Sequence, residues 1–298
     1  MHHPPATVVP AINVVLATCR RKPELTPGDA LLRMELELRG ATAVAKAWDA
    51  VNPAGTPALV CLRSTWDYHL RWPDFRHWVG GFADRPGVLW NPPETVLWNG
   101  DKVDLRELAA AGIALPPTHW FDAGERPDCD ALLRKWGMSR AVLKPRISAT
   151  AYGTYLVSPG RSLADSDWTP LEAAGGLLQA FVPEIETLGE VSLVFIDGTF
   201  GHAIRKRPGQ GDFRVQSDFG GRWERITASA PLRGFGERVL AASSRQWLYA
   251  RVDLVETGRS PVLMELELIE PDLFLTHAPD AAGRLATALL ARAPRPAA

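Results

Sequence analysis

Cysteine is scarce. Cys19, Cys61 and Cys129 lie far apart with no C-x-x-C spacing, which excludes a disulfide framework and a cysteine-built zinc site. Charge of one sign is equally lacking: 33 basic residues stand against 34 acidic ones, a formal net charge of -1, so no broad field draws in nucleic acid or an anionic membrane. No apolar run reaches the ~18 residues that a membrane helix needs. The opening Met-His-His-Pro-Pro has neither the basic start nor the apolar centre of a secretion signal. Aromatic residues are only 8% of the chain, and the 11 Trp among them are scattered as packing residues are. A soluble cytoplasmic protein with a small partner, and with neither nucleic acid nor membrane, is expected.

What is present is ordinary globular composition, 46% hydrophobic and 22% charged, over 298 residues, enough for two or three packed subdomains. An apolar run from Ile12 to Thr18 has strand length. Thr26-Pro27-Gly28-Asp29 caps a helix through Leu31, Leu32, Leu36 and Leu38 that Gly40 stops, and Thr42 to Trp48 and Ala58 to Leu62 read as strands. This order predicts a parallel sheet, and such sheets bind ligands beyond the carboxyl ends of their strands. Arg63-Ser64-Thr65-Trp66-Asp67-Tyr68 leaves the third strand there, with a cation, two hydroxyls, a carboxylate and two rings that suit a zwitterionic amino acid. A polar loop with buried aromatics is the open alternative.

Asp74 to Phe82 reads as a helix, Val88 to Trp90 as a short strand and Asn91-Pro92-Pro93 as a break. Asp101 to Ala111 is expected as a helix with Lys102 in its first turn, where the helix dipole disfavours an ammonium unless an anion meets it. Asp128 to Trp136 is helical, and the strand Ala141 to Lys144 runs through small, hydroxyl-bearing residues to Leu156-Val157, a loop able to fold over phosphates. Leu177 to Val182 is an apolar strand, and Glu190 to Ile196 and Thr199 to Lys206 form a hairpin closed by Asp197-Gly198. Residues 207–221 are a long, Gly-rich, cationic segment, of the kind that is usually functional. Helices follow from about Phe235 to Trp247 and from Ala281 to Arg292.

Between those helices lies a hairpin, 248–271. If Glu256 pairs with Val262, Asp253 falls opposite Glu265 and Arg251 opposite Glu267, with Met264, Leu266 and Leu268 on the other face. Three carboxylates on one area repel unless a cation joins them, and carboxylate oxygens suit Mg²⁺ beside substrate phosphates. An ordinary solvated face is the alternative.

In order, Asn99-x-Asp101-Lys102, Lys144-Pro145, Gln179-x-Phe181-Val182, Glu190, His202-Ala203-Ile204-Arg205-Lys206, Asp212-Phe213-Arg214, Gly220-Gly221, Arg251-x-Asp253 and Glu265-x-Glu267 resemble the ATP-grasp superfamily over about 95–277. The strings at 63–68, 195–198, 202–206 and 265–271 look most like the branch that includes the cyclo-ligase of D-cycloserine biosynthesis. The resemblance implies an α/β fold, α+β in its C-terminal part: a parallel-sheet substrate domain (1–95), a small central lid (96–180) and an antiparallel-sheet domain (181–298). It implies an ADP-forming carbon–nitrogen ligase using ATP and Mg²⁺, two ions with Mn²⁺ as substitute, on a small amino-acid-like carboxylate, and a homodimer. Lys102 and Lys144, with Ser148 in the loop beside them, would hold the phosphates, Gln179, Phe181 and Val182 the adenine, and Glu190 the ribose. Asp253, Glu265 and Glu267 would hold metal, Glu267 where the glutathione synthetase branch commonly has Asn. Arg205 and Arg214 are the expected catalytic cations, and Arg63, Ser64, Thr65, Asp67, Tyr68 and Arg251 the substrate-facing set. Ring closure within one amino-acid-like molecule, joining of two molecules, and phosphotransfer without amide formation are the readings to be separated. His202 and His277 are expected to be structural.

Overall fold

The computed structural model describes residues 12–55, 59–85, 87–161, 163–216, 220–258 and 260–294. Outside them lie the opening Met-His-His-Pro-Pro, Ala58 of the expected third strand, 217–219 of the Gly-rich segment, Arg259 of the hairpin turn and the last four residues. Strand β1 (Asn13–Thr18) leads to helix α1 (Pro27–Leu38), whose N-cap Thr26 accepts from Asp29 N, then to β2 (Thr42–Ala47) and β3 (Leu59–Ser64). After α2 (Trp72–Gly80) comes β4 (Leu89–Trp90), and the four strands form a parallel sheet in the order β2-β1-β3-β4. Helices α3 (Pro93–Asn99) and α4 (Asp104–Ala110) connect it to the next unit.

That unit is an antiparallel sheet, β5-β8-β6-β7, made of β5 (Thr118–Phe121), β6 (Ala141–Pro145), β7 (Tyr155–Val157) and β8 (Gly176–Ala180), with α5 (Cys129–Trp136) and α6 (Asp165–Ala174) on it. A short helix, α7 (Glu184–Thr187), precedes the last sheet. Its strands are β9 (Glu190–Ile196), β10 (Thr199–Arg207), β11 (Arg222–Ile226), β12 (Tyr249–Glu256) and β13 (Pro261–Glu267), in the order β11-β10-β9-β12-β13. Helices α8 (Ala230–Ser243) and α9 (Pro279–Leu290) complete the fold.

The cores are divided unevenly. Leu16, Leu32, Leu36 and Cys61 of the first unit pack in one cluster with Val194, Ile204, Tyr249 and Leu285 of the last. The central sheet keeps a small core of its own, Phe121, Leu133, Leu143, Trp168, Leu171 and Leu178 among it. A third cluster fills the other face of the last sheet under α8.

Several local expectations need correction. Helix α3 starts where a break was expected, because Pro93 sits at its first turn, where the missing N–H is not needed. Helix α4 starts at Asp104, so Lys102 lies in the turn before it and its N–H donates to Arg146 O at 3.0 Å. The dipole argument therefore does not apply. Helix α8 begins at Ala230, capped by Ser229, and ends at Ser243 with Ser244 in the left-handed region, so its limits fall five residues before and four before the expected ones. Its Gly236 is required by packing: a Cβ would come within 2.9 Å of Leu193 Cδ1. Helices α6 and α7 and strand β11 were unexpected, since Pro170, brevity and the Gly-rich flank mask them.

Candidate functional site

The β12–β13 hairpin carries the densest charge. Its turn pairs Glu256 with Pro261, one residue off the expected register, but a bulge between Asp253 and Leu254 absorbs the offset. Asp253 then faces Glu265 and Arg251 faces Glu267, as expected. The same bulge turns Met264 away from Leu266, correcting the expected alternation: Leu263 and Leu266 enter the core under α8, while Met264 packs with Phe181 and Val182. One oxygen each of Asp253, Glu265 and Glu267 lies within 4.8 Å of the others. An all-oxygen trio this crowded fits a hard divalent cation.

Three cations hold the trio together. Arg251 Nη2 bonds Asp253 Oδ2 at 2.9 Å and also Glu267 Oε1. Lys206, buried on β10, pairs with Glu190 and reaches Asp253 Oδ2 at 3.2 Å, and Ser192 Oγ donates to Asp253 Oδ1 at 2.5 Å. Lys102 Nζ meets Glu265 Oε1 at 2.5 Å and Ser148 O at 3.3 Å. Burial alone would raise the Asp253 carboxyl, but Arg251 and Lys206 bring it down to about 2. Burial pushes Glu267 up to about 8, against the pull of Arg251, and also raises Glu190. Lys206 was not singled out from sequence. Its signal was its register opposite Glu190, visible only once the bulge between Phe200 and His202 is known.

Lys144 is different. It is half-buried on β6 and, among the described residues, has no ion-pair partner within 4.0 Å. Burial lowers its pKa, with Glu265 acting the other way and Lys102 adding to the fall. Ser148 in the following loop is buried and donates to Tyr152 O at 2.7 Å. Asn99, also not assigned from sequence, grips the backbone around Glu267: its amide donates to Leu266 O at 2.7 Å and accepts from Leu268 N at 2.6 Å, on the open edge of β13. Its nitrogen also bonds Asp104, which burial raises to about 8.

Phe181 and Val182 line an apolar cluster with Ile185, Val215 and Val255, and partly buried Phe213 and Met264 close it. A flat heterocycle could enter there. The Gln179 amide is turned onto Thr118 Oγ1 at 3.2 Å, inside the sheet. Arg214 lies beside Phe213 and holds Asp212 through Nη2 at 2.7 Å.

Arg205 is a correction. Strand alternation carries it to the face opposite Lys206 and Asp253, where it pairs with Glu256 at 2.7 Å, so it is removed from the catalytic set. Of the hexapeptide, Arg63 is buried against Asp29 at 2.7 Å and Pro271 O at 3.0 Å, and Asp67 accepts from Trp48 Nε1 at 2.9 Å; neither is open to a ligand. Both were expected to face substrate, and the core claims them instead. Tyr68 is buried among aromatic rings, and Ser64 and Thr65 are fully enclosed. His202 is structural, its Nε2 at 2.9 Å from Leu273 O.

Similarity to known proteins decides the class. The N-terminal domain model of D-cycloserine synthetase DcsG matches residues 14–91. The cycloserine biosynthesis protein DcsG of Streptomyces lavendulae is 32% identical over 261 residues, 78% of this chain and 82% of its own. The chain belongs to the D-cycloserine synthetase family of ATP-grasp ligases. It is an ATP-dependent ligase. The crystal structure of D-cycloserine synthetase DcsG superposes with a TM-score of 0.79 at 28% identity, covering 94% of this ligase and 99% of that chain. The D-alanine–D-alanine ligase of Bacillus anthracis, TM-score 0.67 at 17% identity over 95% and 96% of the chains, shares the fold. The expected ATP-grasp architecture is thereby established, and no helix among the described residues is long and apolar enough to cross a membrane.

Proposed function

We propose that the ligase activates the carboxylate of a small amino-acid-like substrate with ATP and joins it to an amine of the same molecule, releasing ADP and phosphate. The relatives' names favour D-cycloserine as the product. With O-ureido-D-serine as substrate, the aminooxy nitrogen of the ureido group closes the ring, and its carbamoyl group is cleaved and leaves, with one water, as carbon dioxide and ammonia. The observation that carries the reading is Lys144, a half-buried ammonium without an ion-pair partner among the described residues, within electrostatic reach of Glu265. A partly desolvated lone cation is unfavourable, and a carboxylate trio is unfavourable too. A nucleotide polyphosphate with a divalent ion relieves both.

In this reading Lys144 and Lys102, with Ser148, bind the phosphates, and the nucleotide competes with Glu265 for Lys102. Phe181, Val182 and Met264 sandwich the adenine, Gln179 shapes the strand beside it, and Glu190 takes the ribose hydroxyls. A divalent ion, Mg²⁺ or Mn²⁺, when bound by Asp253, Glu265 and Glu267, supplies charge neutralisation at the phosphates. The substrate carboxylate attacks the γ-phosphoryl group, its oxygen becomes a leaving group, and the amine displaces phosphate. Arg214 and Arg251 stabilise the developing negative charge, and residues 207–221 keep water from the acyl phosphate.

The test is ADP release with ATP, Mg²⁺ and O-ureido-D-serine as sole substrate. Release with this molecule alone, and a hydroxamate when hydroxylamine is added, is the expected result. Release only with two separate amino acids indicates intermolecular ligation. Release without any carboxylate indicates phosphotransfer and removes the proposal.

A further inference from the structure

The turn before α4 and the loop after β6 carry the two lysines assigned to the phosphates, and they hold each other at several points. Asp101 stands immediately before Lys102, and Arg146 follows Lys144-Pro145. The Arg146 guanidinium lies side-on to the Asp101 carboxylate, with Nε at 3.0 Å from Oδ1 and Nη2 at 2.6 Å from Oδ2. The same Oδ1 accepts from Val103 N at 3.1 Å and closes the turn. Arg146 O accepts from Lys102 N at 3.0 Å, and Ser148 O accepts from Lys102 Nζ at 3.3 Å. Towards the central sheet, Arg146 N donates to Gly175 O at 3.1 Å, just before β8, and Nη1 donates to Asp122 Oδ1 at 3.0 Å.

The Arg146 and Asp101 side chains are 23% and 30% exposed, enough shelter to limit screening by water, whereas Asp122 at 85% adds little. The arrangement needs a planar fork, since an ammonium is a point charge and cannot reproduce the paired contact to Asp101. Repulsion is the problem that the pair answers. Lys102 helps to lower the pKa of Lys144, so the two ammonium groups act on each other. Lys102 is drawn meanwhile to Glu265 on the last sheet at 2.5 Å. Like charges on separately built units move apart unless the backbones that carry them are joined.

We infer that Arg146 is a positioning residue: with Asp101 it braces the loop after Lys144 against the turn of Lys102, so that both ammonium groups meet one polyphosphate. The inference rests on the proposed role of Lys102 and Lys144 as phosphate ligands and adds the residues that set them in register. The guanidinium is engaged by carboxylates rather than offered to phosphate, so its action runs through the backbone it holds. Preorganisation of this kind lowers the ordering cost of binding, and its loss is read in the affinity for ATP before it is read in the chemical step. From sequence Asp101 entered only as part of a motif and Arg146 without a role, because the pair spans 45 residues.

Isothermal titration of the full chain with Mg²⁺ and a non-hydrolysable ATP analogue reads the brace without any acceptor substrate. Arg146→Met, and Asp101→Asn, which keeps the acceptor for Val103 N, are each expected to weaken the analogue about tenfold. The double variant is expected to weaken it no further, as two members of one interaction do. Arg146→Lys, which keeps the charge and loses the fork, falls between wild type and Arg146→Met. Adenosine, which carries no phosphate, binds wild type and variants alike. In the ADP-release assay the KM for ATP rises while kcat at saturating ATP stays within about twofold. Thermal unfolding of each variant checks that the fold persists. Variants that bind the analogue like the wild type, a fall in kcat with KM unchanged, additive losses in the double variant, or equal weakening of adenosine overturn the brace. Binding of the analogue by the wild type without ADP release from any carboxylate would remove the proposed reaction and leave the brace standing; a wild type that binds no nucleotide removes both.

Discussion

The central sheet and the two sheets that flank it are built differently. The first and last units share a core, joined where α1 packs on α9, although nearly the whole chain separates them in sequence. The central sheet, β5 to β8, holds itself together with a small core of its own. Charge follows the same division: the carboxylates and their counter-ions Arg251 and Lys206 stand on the shared framework, whereas Lys144 stands on the separate one without an ion-pair partner among the described residues. The turn around Lys102 links them, through Glu265 on one side and Arg146 O on the other. The shared framework is thus nearly neutralised from within, and the separate part offers a positive charge that can draw in a polyanion.

The strongest way to break this contrast is Asp253→Asn. Removing the shared member of a buried ion network leaves Arg251 with Glu267 alone and Lys206 with Glu190 alone, so a loss of up to about 3–5 kcal/mol in chemical denaturation and loss of turnover are expected together. Lys144→Met should separate the two effects: ADP release falls by about 10²–10³-fold while Tm stays level or rises, because a half-buried ammonium without an ion-pair partner among the described residues has been removed. The cores can be compared directly. Leu285→Ala in the shared core should cost about 2–5 kcal/mol of global stability, and Leu143→Ala in the central core a similar local amount. In the second case hydrogen exchange should accelerate in β5 to β8 and leave β9 to β13 protected.

A smaller effect is pH-dependent. Asp104, at the junction, is raised from 3.8 to about 8 by burial, so the folded state keeps its proton where the unfolded chain does not. Its contribution therefore makes stability fall as pH rises from about 4 to 8, and Asp104→Asn should flatten Tm over that window. The smallest effect is expected for Arg205→Ala. Its pair with Glu256 lies on the far face of the sheet, so stability should change by about 0–1 kcal/mol and turnover should not change.

Legibility differed with the kind of signal. Residue alternation and the Asp197-Gly198 turn sufficed for β9 and β10, yet they could not say which of Arg205 and Lys206 faced Glu190, since the bulge at 200–202 sets that choice. In the last hairpin the turn register was off by one, and the bulge at Asp253 restored the expected carboxylate pairing. Met264 shows the reverse, an alternation broken by the same bulge. Arg63 and Asp67 looked like ligand groups because composition cannot show that Asp29 and Trp48 are waiting for them.

By itself the sequence determined the ligase family, the order of strands and helices, and the residue types of the charged site, because hydrophobic period, turn chemistry and motif order are local properties written along the chain. Only the tertiary structure decided which side chains meet. Bulges reset strand faces, helices distant in sequence close one core, and whether a buried charge is satisfied depends on partners 61 or 163 residues away, as with Asp253 and Ser192 or Lys102 and Glu265.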